Sequence, residues 1–265
     1  MIGAIFGDIA GSAYEFRNTK TKNFELFSRS CHFTDDSVMT LAVAKALLQY
    51  DRTSDVTIFQ DILITSMHTC GNAHPYAGYG GNFSWWLIKK SRLPYQSFGN
   101  GSAMRVSPVA WYANSLEEAI ALAEASAAVT HNHPDGIKGA VVTAGAVYLA
   151  RTGASKEEIK KFIENYYPLD FTLDEIRPTY VFDVSCSGSV PQAMQAFLES
   201  VSFEDTIKSA ISIGGDSDTI AAIAGSVAEA FYGITEEQKE KTLSYLTEDL
   251  KEIVFAFEQK FQTKT

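Results

Sequence analysis

Two short acidic clusters carry the strongest chemical signal in this sequence: Thr34-Asp35-Asp36-Ser37 near its start and Asp216-Ser217-Asp218-Thr219 near its end. Each offers two carboxylates and at least one hydroxyl where a loop enters an amphipathic helix. Hard divalent cations such as Mg2+ and Mn2+ are bound through several oxygens, so two such pairs facing each other across a cleft would hold one or two ions. The ions would also neutralise charge that is costly to bury unpaired. Helix capping is the competing explanation, because Asp, Ser and Thr are common N-cap residues. One side chain suffices to cap a helix, whereas here the acid is doubled twice, so on the residues alone both readings stand.

Three weaker signals accompany the clusters. Gly7-Asp8-Ile9-Ala10-Gly11 combines small residues with an acid, and Glu15 follows four residues after Gly11; a tight helix start beside a solvated acid explains it equally well. Gly99-Asn100-Gly101-Ser102-Ala103-Met104-Arg105 has glycines whose backbone N–H groups could cradle a phosphate, with Arg105 as a charge partner, although an ordinary turn has the same composition. His131-Asn132-His133 lacks the neighbouring cysteine or third histidine of a soft-metal site, which leaves a ligand contact or a helix-terminal role. No G-x-S-x-G elbow occurs, and Ser-His-Asp catalysis is set aside.

The elements that must position these residues are helical. Ile220, Ile223, Ala224, Val227 and Phe231 repeat at the spacing of one buried helix face, directly after Gly214-Gly215-Asp216. Val38 to Tyr50 forms a second amphipathic segment, with Thr34, Asp35 and Asp36 at its N-terminal edge. Ser155 with Glu158, and Ser202 with Asp205, have the spacing of caps. Leu243, Leu246, Leu250, Ile253 and Phe257 predict one long C-terminal helix. The Gly- and Ala-rich stretch from Gly136 to Arg151 suits close helix packing, and glycines interleaved with aromatics from Thr69 to Ser107 predict a long functional loop. Only short stretches such as Tyr180-Val181-Phe182 look like strand. The expected fold is all-α, a compact orthogonal multi-helix bundle with a metal cleft.

At 265 residues and 46% hydrophobic composition, one domain spanning 1–265 is expected. The formal net charge of −10 disfavours a general electrostatic grip on nucleic acid. Cys31, Cys70 and Cys186 lie far apart, which points to a reducing cytoplasm and away from disulfides or structural zinc. Asp8 interrupts the apolar N-terminus before it could act as a leader, and no apolar run approaches the roughly 20 residues of a membrane span.

Taken in order, GDIAGSAYEF, FTDDSVMTLAVAKALL, GNGSAMRVSPVAW, VTHNHPDG and GGDSDTIAAIAGSVAEAFYG resemble the ADP-ribosylglycohydrolase family, from Met1 to about Gly233. The resemblance implies an all-α bundle with a dinuclear Mg2+ or Mn2+ centre, cleaving ADP-ribose from a modified protein or small molecule. It assigns Thr34, Asp35 and Asp36 to the metals from one side, and Asp216, Asp218 and Thr219 from the other. Glu15 falls where the family keeps a glutamate beside metals and ribose, and Glu15, Asp36 and Asp218 are the expected catalytic carboxylates. Asn100, Gly101, Ser102, Met104 and Arg105 would contact the ADP-ribose phosphates and proximal ribose, and His131 the substrate. One departure stands out. Where arginine-specific bacterial members carry a proton-transferring aspartate before Y-G, this chain reads His74-Pro75-Tyr76-Ala77-Gly78-Tyr79-Gly80, without a carboxylate. Two alternatives to an enzyme are a noncatalytic ADP-ribose-binding module and a structural relative of the crystallin kind.

Overall fold

The computed structural model describes residues 1–261. Fifteen helices are found there: α1 (Ile2–Ser12), α2 (Asp35–Gln49), α3 (Val56–Ala73), α4 (Gly81–Ile88), α5 (Gly101–Met104), α6 (Ser107–Tyr112), α7 (Leu116–Ala128) and α8 (Pro134–Arg151) come first. The remainder are α9 (Lys156–Glu164), α10 (Leu173–Ile176), α11 (Cys186–Glu199), α12 (Phe203–Ser212), α13 (Ser217–Tyr232), α14 (Glu236–Leu243) and α15 (Glu248–Phe261). The all-α expectation holds. Tyr180-Val181-Phe182 is not a strand, and the described residues contain only an isolated bridge, between Gly99 and Ser185. No helix there is long and apolar enough to cross a membrane.

Every residue of α1 is buried, and its partner is α13. Gly3, Gly7 and Gly11 recur at one-turn spacing and face that helix. A Cβ on Gly3 would stand 2.3 Å from the Gly225 carbonyl oxygen, on Gly7 2.1 Å from that of Ala221, and on Gly11 2.5 Å from Asp218 Cα. The two backbones therefore touch without intervening side chains. Glu229, near the end of α13, fixes the register by accepting from the backbone N–H groups of Ile2 (3.2 Å) and Gly3 (2.8 Å). Asp8 in α1 and Asp218 in α13 are thereby brought to the same level of the bundle.

Helix α2 starts where predicted, with Thr34 as N-cap accepting from the Asp36 N–H, and Ser155 and Thr172 close full capping boxes on α9 and α10. Helix α8 owes its central place to its small residues: a Cβ on Gly139 would meet Cys186 Sγ at 2.3 Å, and one on Gly145 the Phe162 ring at 2.2 Å.

Two expectations need correcting. The segment from Thr69 to Ser107 is not one loop, because α3 continues to Ala73 and α4 and α5 lie within it; of its aromatics, Phe83 and Trp86 are buried and stacked at 5.4 Å, while Tyr76 and Trp85 are exposed. The C-terminal apolar repeat is shared by two helices, α14 and α15. Ser244–Thr247 breaks it, and the Thr247 hydroxyl donates to Asp249 Oδ1 at 2.6 Å at the new start.

Gly7→Ala tests the contact between α1 and α13. Helix propensity alone would add up to about 1 kcal/mol of stability. A 2.1 Å approach to rigid backbone instead costs roughly 1–3 kcal/mol as overpacking. A lower melting temperature is expected, whereas Gly81→Ala, whose Cβ would meet nothing within 4 Å, should leave it unchanged or higher.

Candidate active site

Asp8 organises the floor of the site. Its buried carboxylate accepts from the Thr34 N–H at 2.9 Å, the Thr34 hydroxyl at 2.6 Å, the Ser37 N–H at 3.1 Å and the Ser37 hydroxyl. Those bonds dock the first turn of α2 onto α1. Across from it, α13 presents Asp216 at its N-cap with Asp218 and Thr219 in its first turn. The Thr219 hydroxyl donates to Asp36 Oδ2 at 3.2 Å, and Asn100 Nδ2 donates to Asp216 Oδ2 at 2.7 Å.

The result is two overlapping groups of carboxylates. Oxygens of Asp8, Asp36 and Asp218 lie within 4.8 Å of one another, as do oxygens of Glu15, Asp216 and Asp218. Asp35 completes the set, its N–H donating to the Ala77 carbonyl at 2.7 Å. No ion pair among the described residues reaches this cluster. Loss of water, then mutual repulsion, drives the protonation equilibria upward. Asp36 and Asp218 are pushed well above the usual carboxylate range, Asp35 to about 8 and Glu15 to about 7. Asp36 Oδ1 is buried with no hydrogen-bond partner. An unpartnered carboxylate oxygen inside a set of hard-oxygen donors without a balancing cation fits a divalent metal ion.

Above this floor opens a cavity of about 470 Å3, within the range of small-molecule sites. One wall holds Asn100, Gly101, Met104, Tyr95 and His131; the mouth carries Phe16, Phe182, Val184 and Tyr76. His131 Nδ1 pairs with the Thr130 hydroxyl at 2.8 Å, and burial, then the nearby Arg105 charge, holds its pKa well below the ordinary value, so the ring is neutral. Gly101 makes room for it, since a Cβ there would stand 3.0 Å from His131 Nε2. The other members of that motif have structural roles: Asn132 Oδ1 accepts from the Gln96 N–H, and His133 caps α8.

Glu15, Thr34, Asp35, Asp36, Asn100, Gly101, Met104, His131, Asp216, Asp218 and Thr219 all line this cavity. Ser102 does not: its hydroxyl donates to the Gly136 carbonyl at 2.6 Å, within the core. Arg105 borders the cavity, but its guanidinium is buried and donates to the Ser126 carbonyl and the Thr130 hydroxyl, each at 2.9 Å. Those bonds direct it into the core, away from the phosphate role its position after the glycine loop suggested. The N–H groups of Gly99 and Asn100 are likewise committed, to Ser97 Oγ and the Val184 carbonyl. Asp8 was missed as a site residue; its signal was a lone acid in an otherwise apolar run.

A helical fold surrounds a carboxylate-floored cavity, and similarity to known proteins gives it a family. The ADP-ribosylglycohydrolase family profile matches residues 1–263. Human ADP-ribosylhydrolase ARH3 is 26% identical, over 88% of this chain and 84% of its own. ADP-ribosylarginine hydrolase Tri1 of Pseudomonas putida (strain GB-1) is 26% identical, over 89% and 70%. A solved structure described as an ADP-ribosylglycohydrolase-related protein complex superposes with a TM-score of 0.61 at 23% identity, covering 97% of this chain and 96% of that one. The chain belongs to the ADP-ribosylglycohydrolase family, and it is a hydrolase of ADP-ribose linkages.

The carboxylates of the chelated protein bind protons in the fold that the unfolded chain has already released. The contribution of this cluster to stability is therefore fully present near pH 4 and is lost as pH rises toward about 8, the value to which Asp35 is raised. Melting temperatures with chelator should be lower at pH 8 than at pH 5.5. Adding Mn2+ should raise them more at pH 8, where fewer protons compete. Asp36→Asn should melt higher than wild type in chelator and respond less to Mn2+; a lower melting temperature in chelator would contradict the uncompensated-charge description.

Proposed function

We propose that this chain, acting as a single domain over 1–265, releases ADP-ribose from a modified protein or small molecule with two divalent cations, Mg2+ or Mn2+, as cofactors. The observation that carries this reading is the buried carboxylate set at the floor of a ligand-sized cavity, with its unpartnered Asp36 Oδ1 and no ion pair to it among the described residues. Thr34, Asp35 and Asp36 would hold the cations from α2, and Asp216, Asp218 and Thr219 from α13. Bound there, the cations supply positive charge that grips ribose hydroxyls and lowers the pKa of water.

The protein groups divide the remaining work. Glu15 is half-buried at the cavity edge, close to Asp216 and Asp218, and is the group placed to take the proton from water attacking the anomeric carbon. Asp36 and Asp218 add negative charge beside the developing oxocarbenium ion. Asn100 orients Asp216, while Gly101, Met104 and neutral His131 form the wall against which ADP-ribose rests. Asp8 acts from behind, holding Thr34 and Ser37 so that α2 presents its acids.

A second reading, an ADP-ribose reader without turnover, is favoured by one observation: the segment His74–Gly80 borders the cavity with no acid, and Gly78 (φ +102°) brings it against Asp35. Release of free ADP-ribose from arginine-linked and serine-linked substrates separates the two. Hydrolysis with Mg2+ or Mn2+, abolished by chelator, is expected. Asp36→Ala should lose at least the roughly 10–100-fold that follows loss of groups merely supporting a metal ligand. Metal-dependent ADP-ribose binding without release from either linkage would favour the reader.

A further inference from the structure

Glu15 stands on a segment that no helix holds, between the end of α1 at Ser12 and the start of α2 at Asp35. What fastens that segment to the rest of the site is the side chain of Asn18. Its Nδ2 donates to the carbonyls of Tyr14 (2.7 Å), Glu15 (2.8 Å) and Gly215 (3.0 Å). Its Oδ1 accepts from the Gly215 N–H at 2.8 Å. One carboxamide thus satisfies both polar groups of the Gly215 backbone and grips the Glu15 turn with the same two protons. This complementarity admits one orientation, because a flipped amide would set oxygen against carbonyl and NH2 against N–H.

The gripped partner is itself unusual. Gly214 and Gly215 have φ of +72° and +75°, the left-handed region that glycine adopts readily, and they lead directly into Asp216. Lys20 adds a second fastening from the same segment, donating to the carbonyls of Ile213 and Tyr180. Asn18 does not line the cavity, and its own residue is exposed. Its bonds therefore run between two turns, one carrying Glu15 and one placing Asp216.

We propose that Asn18 is a positioning residue for the hydrolysis, a clasp that holds the Glu15 carboxylate against Asp216 and Asp218. The role rests on the hydrolase reading above. Cutting the clasp leaves Asp8, Asp36 and Asp218 together, since none of them depends on this segment, but frees Glu15 to swing toward solvent. Misplacement of a catalytic group by about 1 Å costs on the order of 100-fold in rate.

The test uses the full chain with Mn2+ and an ADP-ribosylated substrate that wild type hydrolyses. Asn18→Ala should lower kcat by roughly 10–100-fold, with KM changed less than about threefold and the melting temperature lowered by no more than a few degrees, as loss of about 1–2 kcal/mol of hydrogen bonding requires. Lys22→Ala, which removes only the surface pair from the same segment to Asp205 of α12, away from the Glu15 turn, is the control and should behave as wild type. Because the clasp affects the rate chiefly through the Glu15 carboxylate, Glu15→Ala combined with Asn18→Ala should lose clearly less than the product of the two single losses. Hydrogen exchange at the Gly215 N–H should accelerate by about tenfold in Asn18→Ala, a readout independent of turnover. Unchanged kcat in Asn18→Ala beside an active wild type, or additive losses in the double variant, would overturn the role alone. A wild type that releases no ADP-ribose would overturn the hydrolase reading and this role with it.

Discussion

The arrangement depends on how closely α1 and α13 approach. Gly3, Gly7 and Gly11 place backbone against backbone along three turns, with no side chain between them. Separation by even one methyl group would move Asp8 away from Asp218 and tilt the start of α2, which hangs from Asp8 through Thr34 and Ser37. A cation site needs several oxygens converging to within a few ångströms. The glycine contact supplies that convergence using helices that are distant in sequence.

Bringing acids together has a cost, and the fold bears it where the chemistry is. Asp36 and Asp218 are buried among like charges, and no lysine or arginine among the described residues forms an ion pair with them. The guanidinium of Arg105, which borders the cavity, is turned into the core, where it serves Ser126 and Thr130. Its charge instead helps keep His131 neutral, so the wall of the cavity presents a hydrogen-bonding ring while the floor stays anionic. That division suits a ligand with hydroxyls to be gripped at one end and a neutral surface to rest on elsewhere. It also explains why the same residues serve capping and ligation. Thr34 caps α2 and Asp216 occupies the N-cap of α13, while their neighbours' carboxylates remain free to face the cleft.

Much of this was legible in the residues. Doubled acids at two helix starts located both halves of the floor, and the apolar repeats before and after them set the bounds of α2 and α13 to within a few residues. What periodicity could not reveal was tertiary. Asp8 looked like an interruption of an apolar run because its partners, Thr34 and Ser37, are 26 and 29 residues away. Arg105 followed a glycine loop in sequence, but its guanidinium is held by the Ser126 carbonyl and the Thr130 hydroxyl at the end of α7. Asn18 carried no signal at all, since its partner lies 197 residues away in a turn defined by two glycines. Aromatics between Thr69 and Ser107 suggested a binding loop, whereas several of them pack α4 onto its neighbours.

The central claim is that the carboxylate floor is a divalent-cation site. Crystals grown at neutral pH with Mn2+ and measured for anomalous scattering test it most directly. The account predicts anomalous peaks within bonding distance of the carboxylate oxygens of Asp35, Asp36, Asp216 and Asp218, with Asp8 behind them and Glu15 beside them. Absence of any peak there, with the floor intact and its acids bridged only by protons or water, would contradict it.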